Sequence, residues 1–286
     1  MRIAVVGTGL AGLGATYFLL KKGYQVTLFD EWGVGKGASS IPIGLCHPYP
    51  GRSGKPSKFA YEAMVLTNEL ITFAESHSGK KLADRSGIMR YDWVPHEWYS
   101  DLQERDGGVL ITSGMTVLMQ EYVLALYDAL GVSLQEGKPE GVDVIVYASP
   151  KQVDLPVSYV KGQVLIGKGE VKNSLMKAQG HLSPLGEGLV QLGSTYEHHY
   201  ESDSPDIEVA KRDLREKRDA FFPRQNFSPM DCRAGIRSCV KGSYLPIVKQ
   251  LTKNSYVFTG LGSRGLLYHA YYGRELANLL SYTQTN

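Results

Sequence analysis

The sequence lacks the features of a membrane protein or of a disulfide-stabilised scaffold. No apolar run approaches the roughly 18 residues of a membrane-spanning helix. The chain has three cysteines, an odd number without a C-x-x-C pair, which argues against a disulfide framework and against a dithiol redox centre. Met1 and Arg2 lead directly into an apolar run, so we expect no cleavable targeting segment and a cytoplasmic protein without a membrane partner.

The sequence also offers few candidate metal ligands and has a low net charge. The seven histidines are scattered, and the adjacent pair His198 and His199 has no Cys/His ligand spacing around it, so we expect no metal site. The net charge is only +2, yet residues 211–253 hold eleven Lys or Arg against four Asp or Glu. This segment either binds an anionic partner or forms a solvated helix whose charges pair along its surface.

A nucleotide-binding pattern opens the chain. A β-branched run at residues 3–6 is followed by Gly-Thr-Gly-Leu-Ala-Gly at 7–12, by a predicted helix over 13–22 and by a predicted strand over 25–29 that ends at Asp30. The first glycine allows a tight turn, the second lets the backbone approach a pyrophosphate, and the third allows a helix to pack closely on a strand. Helix N-terminal amides then face the phosphates, and Asp30 accepts hydrogen bonds from ribose hydroxyls. The pattern predicts a bound dinucleotide without distinguishing FAD from NAD.

The rest of the chain alternates short strands with a few helices and contains no internal repeat. Residues 31–58 are rich in Gly, Ser, Pro and Lys and predict a long functional loop. Apolar periodicity predicts helices over 58–76, 99–105, 115–130, 206–221 and 267–281 and strands over 82–98, 109–111, 132–135, 142–148, 159–167, 188–193, 233–240 and 255–259. We therefore expect a nucleotide-binding domain built from separated segments, with the intervening segments in a second, mostly antiparallel layer.

Five further motifs follow in order along the chain. They are GASSIPIGLCHP at 37–48, VKGQV at 160–164, GSTYE at 193–197, RAGIR at 233–237 with LP at 245–246, and GLGSRGL at 260–266. Each is weak alone, but together they are spread over nearly the whole chain. In this order they resemble the motifs of the D-amino-acid oxidase and glycine oxidase superfamily of flavoproteins. Within it, the sequence most resembles the FAD oxidase domain of the bacterial tRNA-modifying enzyme MnmC.

The resemblance implies FAD as the cofactor and an α/β fold of the D-amino-acid oxidase type. It implies a Rossmann-like FAD-binding domain, which we assign to residues 1–55, 108–155 and 232–286, and a discontinuous, mostly antiparallel substrate domain at 56–107 and 156–231. The residues expected to bind FAD are Gly7, Gly9, Leu10, Ala11, Gly12, Asp30, Glu31, Ala38, Ser39, Gly44, Leu45, Gly260, Gly262, Ser263, Arg264, Gly265 and Leu266.

The expected chemistry is FAD-dependent oxidation of an amine, in which the protein mainly binds and orients the substrate. A buried arginine would hold the carboxylate of a substrate of the type R–CH2–NH–CH2–COO⁻ through paired, charge-assisted hydrogen bonds. The resemblance places this catalytic role first on Arg237 and second on Arg264. The alternatives are a surface ion pair for Arg237 and a structural role in a turn for Arg264.

Four other residues stand in or near these motifs. Cys46 and His47 lie in the loop expected near the flavin and are candidates for its covalent attachment. Tyr196 and Tyr268 either shape the substrate pocket or pack in the core or at the rim.

The sequence departs from the family's pattern in three respects. The substrate domain is trimmed. The family's Arg-Gly-Gln is Lys-Gly-Gln at 161–163, which keeps the charge but loses the planar fork of a guanidinium. The acid that the family carries shortly before Leu-Pro is replaced by Lys-Gly-Ser at 241–243. These departures concern the substrate rather than the flavin.

Three functions are compatible with these features. The first is conversion of 5-carboxymethylaminomethyluridine in tRNA to 5-aminomethyluridine, for which residues 211–253 with Arg52, Lys55 and Lys58 would form a basic surface for tRNA phosphates. The second is oxidation of a free small amino acid by an oxidase of the glycine or D-amino-acid type. The third is a non-catalytic protein that binds flavin and nucleic acid. The resemblance favours the first.

Overall fold

The computed structural model describes residues 1–149, 153–177, 179–222 and 227–285. The strands in these residues are β1 (Arg2–Val6), β2 (Gln25–Phe29), β3 (Ile43–Cys46), β4 (Ala83–Asp84), β5 (Ile88–Arg90), β6 (Leu102–Arg105), β7 (Gly108–Ile111), β8 (Met115–Leu118), β9 (Leu134–Gln135), β10 (Val144–Tyr147), β11 (Val157–Lys168), β12 (Leu175–Lys177), β13 (Gly180–Gly186), β14 (Leu189–Gly193), β15 (Pro229–Val240), β16 (Ile247–Thr252) and β17 (Ser255–Thr259). The helices are α1 (Leu10–Lys21), α2 (Ala60–Ser78), α3 (Met119–Leu130), α4 (Ile207–Asp213), α5 (Arg215–Phe221) and α6 (Gly265–Thr285), with 3₁₀ turns at Ala38–Ser40 and Gly262–Arg264. None of these helices is long and apolar enough to cross a membrane.

A six-stranded sheet forms the first layer. Its order is β16-β17-β10-β1-β2-β9, and all its pairings are parallel except that of β16 with β17. The central strand β1 buries Ile3 and Val5, as is typical of a parallel strand covered by helices. The predicted order of strand, glycine loop, helix, strand and acid is confirmed, and α1 begins at Leu10, inside the glycine loop.

An eight-stranded sheet forms the second layer. Its order is β15-β11-β14-β13-β12-β5-β7-β6, and all its pairings are antiparallel except that of β12 with β5. The longest pairing joins β11 to β15 and starts at Val157 opposite Val240. Leu165 and Leu192 pack there against Leu214, between α4 and α5. The predicted α/β fold with a mostly antiparallel second layer is therefore confirmed. A small sheet of order β3-β8-β4 is hydrogen-bonded to the second layer, since the backbone of Ile43 pairs with the side chain of Gln191.

The predicted division into two domains stays a prediction, and the packing indicates where its boundaries would move. α2, which falls in the predicted substrate domain, buries Leu70 and Ile71 in the same core as α1 and β1. β7 and most of β15 fall in the predicted FAD-binding domain but pair within the eight-stranded sheet. The chain crosses from one layer to the other more often than the predicted domain boundaries require.

Several elements differ from the sequence predictions because strand partners distant in sequence decide them. The predicted helix over 99–105 is wrong, since this segment contains β6, which pairs with β7. The predicted helix over 115–130 starts only at Met119, because the residues before it pair with β3 and β4. The charged helix over 206–221 is broken at Leu214, which is fully buried. β12, β13 and β16 were not predicted, and β3 lies within the predicted loop over 31–58. The predicted strand over 82–98 forms only β4 and β5.

The first and last helices pack with their backbones almost in contact. A Cβ atom on Gly273 would lie 2.6 Å from the carbonyl carbon and oxygen of Gly14. A Cβ atom on Gly14 would overlap the carbonyl oxygen of His269. Larger side chains at either position would push α1 and α6 apart, so these two glycines set the distance between the helices.

Replacement of Gly14 by alanine is expected to lower the free energy of unfolding by about 1–3 kcal/mol, because the added methyl group overpacks this crossing. This loss exceeds the gain in helix propensity of about 1 kcal/mol. Gly51→Ala is the matched control, since the nearest atom to a Cβ there, the Ser53 hydroxyl oxygen, is 4.0 Å away. Urea unfolding followed by circular dichroism measures both variants. A Gly14→Ala protein as stable as the wild type would contradict the role given to this contact.

Candidate active site

The glycine loop forms the tight turn that its sequence predicts. Gly7 has a φ of +110°, which L side chains rarely adopt, and its amide donates to the Phe29 carbonyl at 2.8 Å. A Cβ atom on Gly12 would overlap the Gly7 carbonyl oxygen, so the third glycine allows α1 to pack against the loop. α1 begins after Gly9 without a side-chain cap. Apart from the Leu10 amide, which donates to Ser39 Oγ, the first-turn amides need another acceptor, and a phosphate group suits them.

Asp30 and Ser39 lie beside this loop. The Asp30 carboxylate accepts hydrogen bonds from the Thr8 amide and hydroxyl, both at 2.8 Å, and from the Trp32 amide at 2.9 Å. A carboxylate has about four lone-pair positions, so Asp30 keeps acceptor capacity for a ligand hydroxyl. Ser39 Oγ accepts a hydrogen bond from the Leu10 amide at 3.3 Å. Both side chains thus lie beside the glycine loop, where α1 begins.

The C-terminal glycine turn packs next to the same loop. A Cβ atom on Gly265, the first residue of α6, would lie 3.4 Å from the Leu10 side chain, and one on Gly44 would lie 3.2 Å from the Leu266 side chain. The structure therefore gathers residues from three separate segments of the predicted FAD site. Their contacts with FAD stay a prediction. The exposed members of the predicted set are Glu31, Ala38 and Ser263.

Arg237 lies on β15 and makes its hydrogen bonds with neutral oxygens in the described part of the chain. Its Nη2 donates to Ser194 Oγ at 2.9 Å, and its Nη1 donates to the Thr195 carbonyl at 3.3 Å. The guanidinium carbon is 5.3 Å from the centre of the Tyr196 ring. Burial lowers the pKa of Arg237, but an arginine stays protonated. The site therefore holds a poorly solvated positive charge that an anionic ligand would neutralise.

Gly162 makes room for this guanidinium. A Cβ atom on Gly162 would overlap the Arg237 side chain, so the glycine of the Lys-Gly-Gln motif has a steric role. Lys161, beside it, is buried, and its ammonium donates to the carbonyls of Ser202 and Ser204 at 2.9 and 2.6 Å. The lysine that stands where the family has arginine therefore holds a loop in place.

Arg264 reaches the same edge from the C-terminal turn. Cys239, just after Arg237 on β15, forms an isolated antiparallel bridge with Leu261, just before Arg264. The Arg264 guanidinium stacks on the Tyr244 ring, with the guanidinium carbon 4.3 Å from the ring centre. The structure thus brings the two predicted catalytic arginines to one edge of the second sheet, each with a tyrosine beside it.

Lys217 and His181 lie behind Arg237 and were not predicted as site residues. The Lys217 ammonium, on α5, donates to the Ser194 carbonyl at 2.6 Å. Burial lowers the pKa of Lys217, and the charge of Arg237 adds to this effect. His181 Nε2 lies 3.0 Å from the Gln191 side-chain nitrogen, and burial lowers the pKa of His181 to about 4, with Lys217 and Arg237 acting in the same direction. Sequence reasoning placed Lys217 on the basic surface because a charged helix does not reveal which lysine turns inward.

The other residues singled out from the motifs are largely structural. Cys46 is buried with its sulfur 3.3 Å from that of Met64, and burial raises the pKa of its thiol. Burial also lowers the pKa of His47 to about 3. Their burial argues against covalent attachment of a flavin at either residue. Tyr268 is fully buried, and its hydroxyl donates to the Lys58 carbonyl at 2.8 Å.

The basic segment at 211–253 is partly neutralised by nearby acids. Ion pairs of 2.7–2.8 Å join Lys211 to Glu208, Arg212 to Asp213, Arg218 to Asp219 and Arg233 to Asp231. Lys217 turns inward, and Arg224 lies outside the described residues. Cations that stay exposed on the loop at 52–58 and on the turn that carries Tyr244 are Arg52, Lys55, Lys58 and Lys241. The basic surface near the two arginines is therefore narrower than the sequence predicted.

A glycine loop, a C-terminal glycine turn and two arginines at the edge of an antiparallel sheet define a class of flavin-dependent oxidoreductases. The chain belongs to the DAO family of FAD dependent oxidoreductases, whose family model matches residues 2–279. It is therefore an FAD-dependent enzyme, as the sequence predicted.

Curated relatives carry the name of a tRNA-modifying protein. The chain is 23% identical over 387 residues to the tRNA 5-methylaminomethyl-2-thiouridine biosynthesis bifunctional protein MnmC of Marinomonas sp. (strain MWYL1), covering 99% of this chain and 56% of that protein. It is 28% identical over 291 residues to the protein of the same name from Campylobacter concisus (strain 13826), covering 86% and 46%. The chain spans about half the length of the curated relatives it matches.

Solved structures share the fold over nearly their whole length. Glycine oxidase from Bacillus cereus ATCC 14579 has a TM-score of 0.78 at 16% identity and covers 99% of this chain and 95% of its own. Iminodiacetate oxidase (IdaA) from Chelativorans sp. BNC1 has the same TM-score and identity, with coverages of 98% and 95%. These likenesses confirm the predicted fold class.

The residues at the glycine loop fit FAD. The uncapped N-terminus of α1 would hold the pyrophosphate, and Asp30 would accept from the ribose. The N-terminus of α6 would stabilise negative charge on the reduced cofactor. When bound, FAD supplies the acceptor for the hydride that an amine gives up. Among the described residues, no cluster of His, Cys, Asp or Glu is arranged to hold a metal ion.

Half-buried His181 is expected to make the protein less stable in mild acid. Its folded-state pKa of about 4 lies below the ordinary value of 6.5, so the unfolded chain takes up the proton first as the pH falls. Stability that is fully present above pH 6.5 is lost as the pH falls toward 4, by about 2 kcal/mol at pH 5 for this residue.

Urea unfolding of the wild type and of His181→Gln at pH 7 and pH 5 measures this effect. The variant should lose about 2 kcal/mol less than the wild type between the two pH values. His47 and His269, whose pKa values burial also lowers, remain in both proteins and provide the common background. Equal losses in the two proteins would mean that His181 is not a titrating group in this range.

Proposed function

We propose that this enzyme oxidises N-carboxymethyl amines and acts on tRNA, converting 5-carboxymethylaminomethyluridine at the wobble position to 5-aminomethyluridine. The neutral secondary amine loses a hydride from its carboxymethyl carbon and a proton from its nitrogen, which leaves an imine. Water adds to the imine carbon, the C–N bond breaks, and glyoxylate and a primary amine are released. Molecular oxygen takes up the two electrons with two protons and leaves as hydrogen peroxide. A tRNA substrate makes the cytoplasm the proposed location.

The observation that carries this proposal is the poorly solvated charge of Arg237. Its guanidinium donates to neutral oxygens of Ser194 and Thr195 and lies over Gly162, at the edge that Arg264 also reaches. A substrate carboxylate placed there would accept charge-assisted hydrogen bonds, which are shorter and stronger than neutral ones. The protein would thereby fix the carboxymethyl carbon for hydride loss, and its contribution to the rate would come from orientation.

The exposed cations support a substrate carried on RNA. Lys58 is tied to the site through Tyr268, and Lys241 lies in the turn that places Tyr244 on Arg264. Exposed lysines suit a phosphate backbone, which is bound electrostatically and without regard to sequence. The names of the curated relatives point to the same class of substrate.

The alternative function is oxidation of a free small amine. Its support is the fold shared with glycine oxidase and iminodiacetate oxidase, at 16% identity. Iminodiacetate is itself an N-carboxymethyl secondary amine, so the carboxylate role of Arg237 is common to both functions. What differs is the group on the other side of the nitrogen.

Anaerobic reduction of the holoenzyme distinguishes these functions. We expect the yellow flavin colour to bleach on addition of tRNA that carries the carboxymethylaminomethyl group and to persist with the matched unmodified tRNA. Bleaching by glycine, sarcosine or iminodiacetate, without bleaching by the modified tRNA, would establish the alternative function. Retention of tRNA without bleaching by any of these amines would indicate a non-catalytic protein that binds flavin and nucleic acid.

Replacement of Arg237 by alanine should raise the KM for N-carboxymethyl amines by about 10- to 100-fold, because the carboxylate loses hydrogen bonds from a charged donor. Arg233→Ala is the matched control, since Arg233 lies on the same strand but is exposed and paired with Asp231 at 2.8 Å. Steady-state kinetics at equal flavin content compares the two variants. Unchanged kinetics in Arg237→Ala would remove this residue from the carboxylate role.

A further inference from the structure

Two exposed tyrosines flank the arginines of the site. The exposed fractions of Tyr196 and Tyr244 are 51% and 72%, although both are large aromatic residues. Each ring lies against a guanidinium, that of Arg237 at 5.3 Å and that of Arg264 at 4.3 Å. An aromatic ring in this arrangement has one face against a cation and leaves the other available to a ligand.

The Tyr196 ring and the backbone next to Tyr244 are held by their surroundings. The Tyr196 hydroxyl lies 3.7 Å from the Cys239 sulfur, and the edge of its ring contacts His198, with centroids 5.5 Å apart. Tyr244 follows a turn in which Ser243 Oγ accepts a hydrogen bond from the Leu245 amide at 3.0 Å. The two tyrosines are linked through a backbone bridge, because the Tyr196 hydroxyl contacts Cys239, Cys239 pairs with Leu261, and Arg264, three residues after Leu261, contacts the Tyr244 ring. A ring that is already positioned loses little conformational entropy when a ligand stacks on it.

We propose that Tyr196 and Tyr244 form a platform for the pyrimidine base that carries the amine, and that this platform makes the enzyme select ring-bearing over free N-carboxymethyl amines. This inference rests on the proposed function and concerns the pyrimidine base, which the arginines do not bind.

The dimensions of the substrate agree with this placement. Four bonds separate the carboxylate carbon from C5 of the uracil ring in 5-carboxymethylaminomethyluridine, a span of about 5 Å. A carboxylate bound to Arg237 or Arg264 therefore allows the base to reach beyond the tyrosine rings, whose centres lie 5.3 and 4.3 Å from the guanidinium carbons, to the ring faces that point away from the cations. Bases of any kind stack on aromatic side chains through their π faces.

The charge near the platform fits a nucleotide better than a free amine. Lys241 is exposed in the turn that ends at Tyr244. Lys58 is also exposed, and its backbone carbonyl accepts a hydrogen bond from the Tyr268 hydroxyl. These cations would face the phosphates on either side of the stacked base. A free amine such as iminodiacetate would occupy the arginines and leave both tyrosine rings uncovered.

The test compares two substrates in Tyr244 variants of the holoenzyme. For Tyr244→Leu, kcat/KM with the nucleoside 5-carboxymethylaminomethyluridine should fall about 10- to 100-fold through KM, the effect expected for loss of one base–aromatic stack. The value with iminodiacetate, which has no ring to stack, should fall at least about tenfold less than the value with the nucleoside. Tyr244→Phe keeps the ring and should behave as the wild type. Tyr282→Leu, near the end of α6 and with 70% of its surface exposed, is the control for loss of an exposed tyrosine elsewhere.

Two results would overturn the platform. The first is an equal loss with both substrates in Tyr244→Leu, which would mean that Tyr244 acts through Arg264 and not on the base. The second is an unchanged Kd for the product nucleoside, 5-aminomethyluridine, when Tyr244→Leu is compared with the wild type by calorimetry. The binding measurement also separates the platform from the proposed function: a wild type that binds 5-aminomethyluridine through Tyr244 but whose flavin is not reduced by tRNA carrying the carboxymethylaminomethyl group retains the platform and loses the function.

Discussion

The backbone contact between α1 and α6 at Gly14 and Gly273 places the two ends of the described chain side by side. With the helices this close, Gly265 at the start of α6 meets Leu10 at the start of α1, so the two helix N-termini lie together. Each N-terminus carries a partial positive charge of about half an elementary charge. A dinucleotide with a pyrophosphate in its middle and a ring that becomes negative on reduction at one end matches that arrangement. The shape of the cofactor region thus depends on two glycines outside the glycine loop.

The second layer positions the substrate-facing arginines by different means. The pairing of β11 with β15 sets Arg237 over Gly162, and hydrogen bonds from Arg237 to Ser194 and Thr195 hold the guanidinium in a poorly solvated place. A charge in such a place is unfavourable unless it is compensated. The charge of Arg237 therefore lowers the stability of the enzyme without substrate, and the same charge strengthens the attraction of the enzyme for a carboxylate. The antiparallel sheet supplies the rigid backbone that keeps the charge from moving to water.

Much of the first layer was readable from the sequence, because a strand, a glycine turn and a helix in succession are determined by neighbouring residues. The segment from Arg2 to Asp30 illustrates this. Met115–Leu118 was read as helix because its strand partners, β3 and β4, lie far away in the chain. The motifs pointed to Arg237 and Arg264, whereas the inward turn of Lys217 and the position of Tyr244 over Arg264 depend on tertiary contacts that no local pattern records.

The packing of α1 on α6 also bears on when the protein can fold during synthesis. Segments of a chain usually begin to fold as they leave the ribosome, at about 5–20 residues per second. Here the first helix gains its partner only when Gly265–Thr285 has been made, and contacts of such long sequence separation form slowly. Until then the face of α1 around Gly14 stays open to solvent, chaperones and proteases. Translation of α6 is therefore the step that allows the face of α1 around Gly14 to be covered.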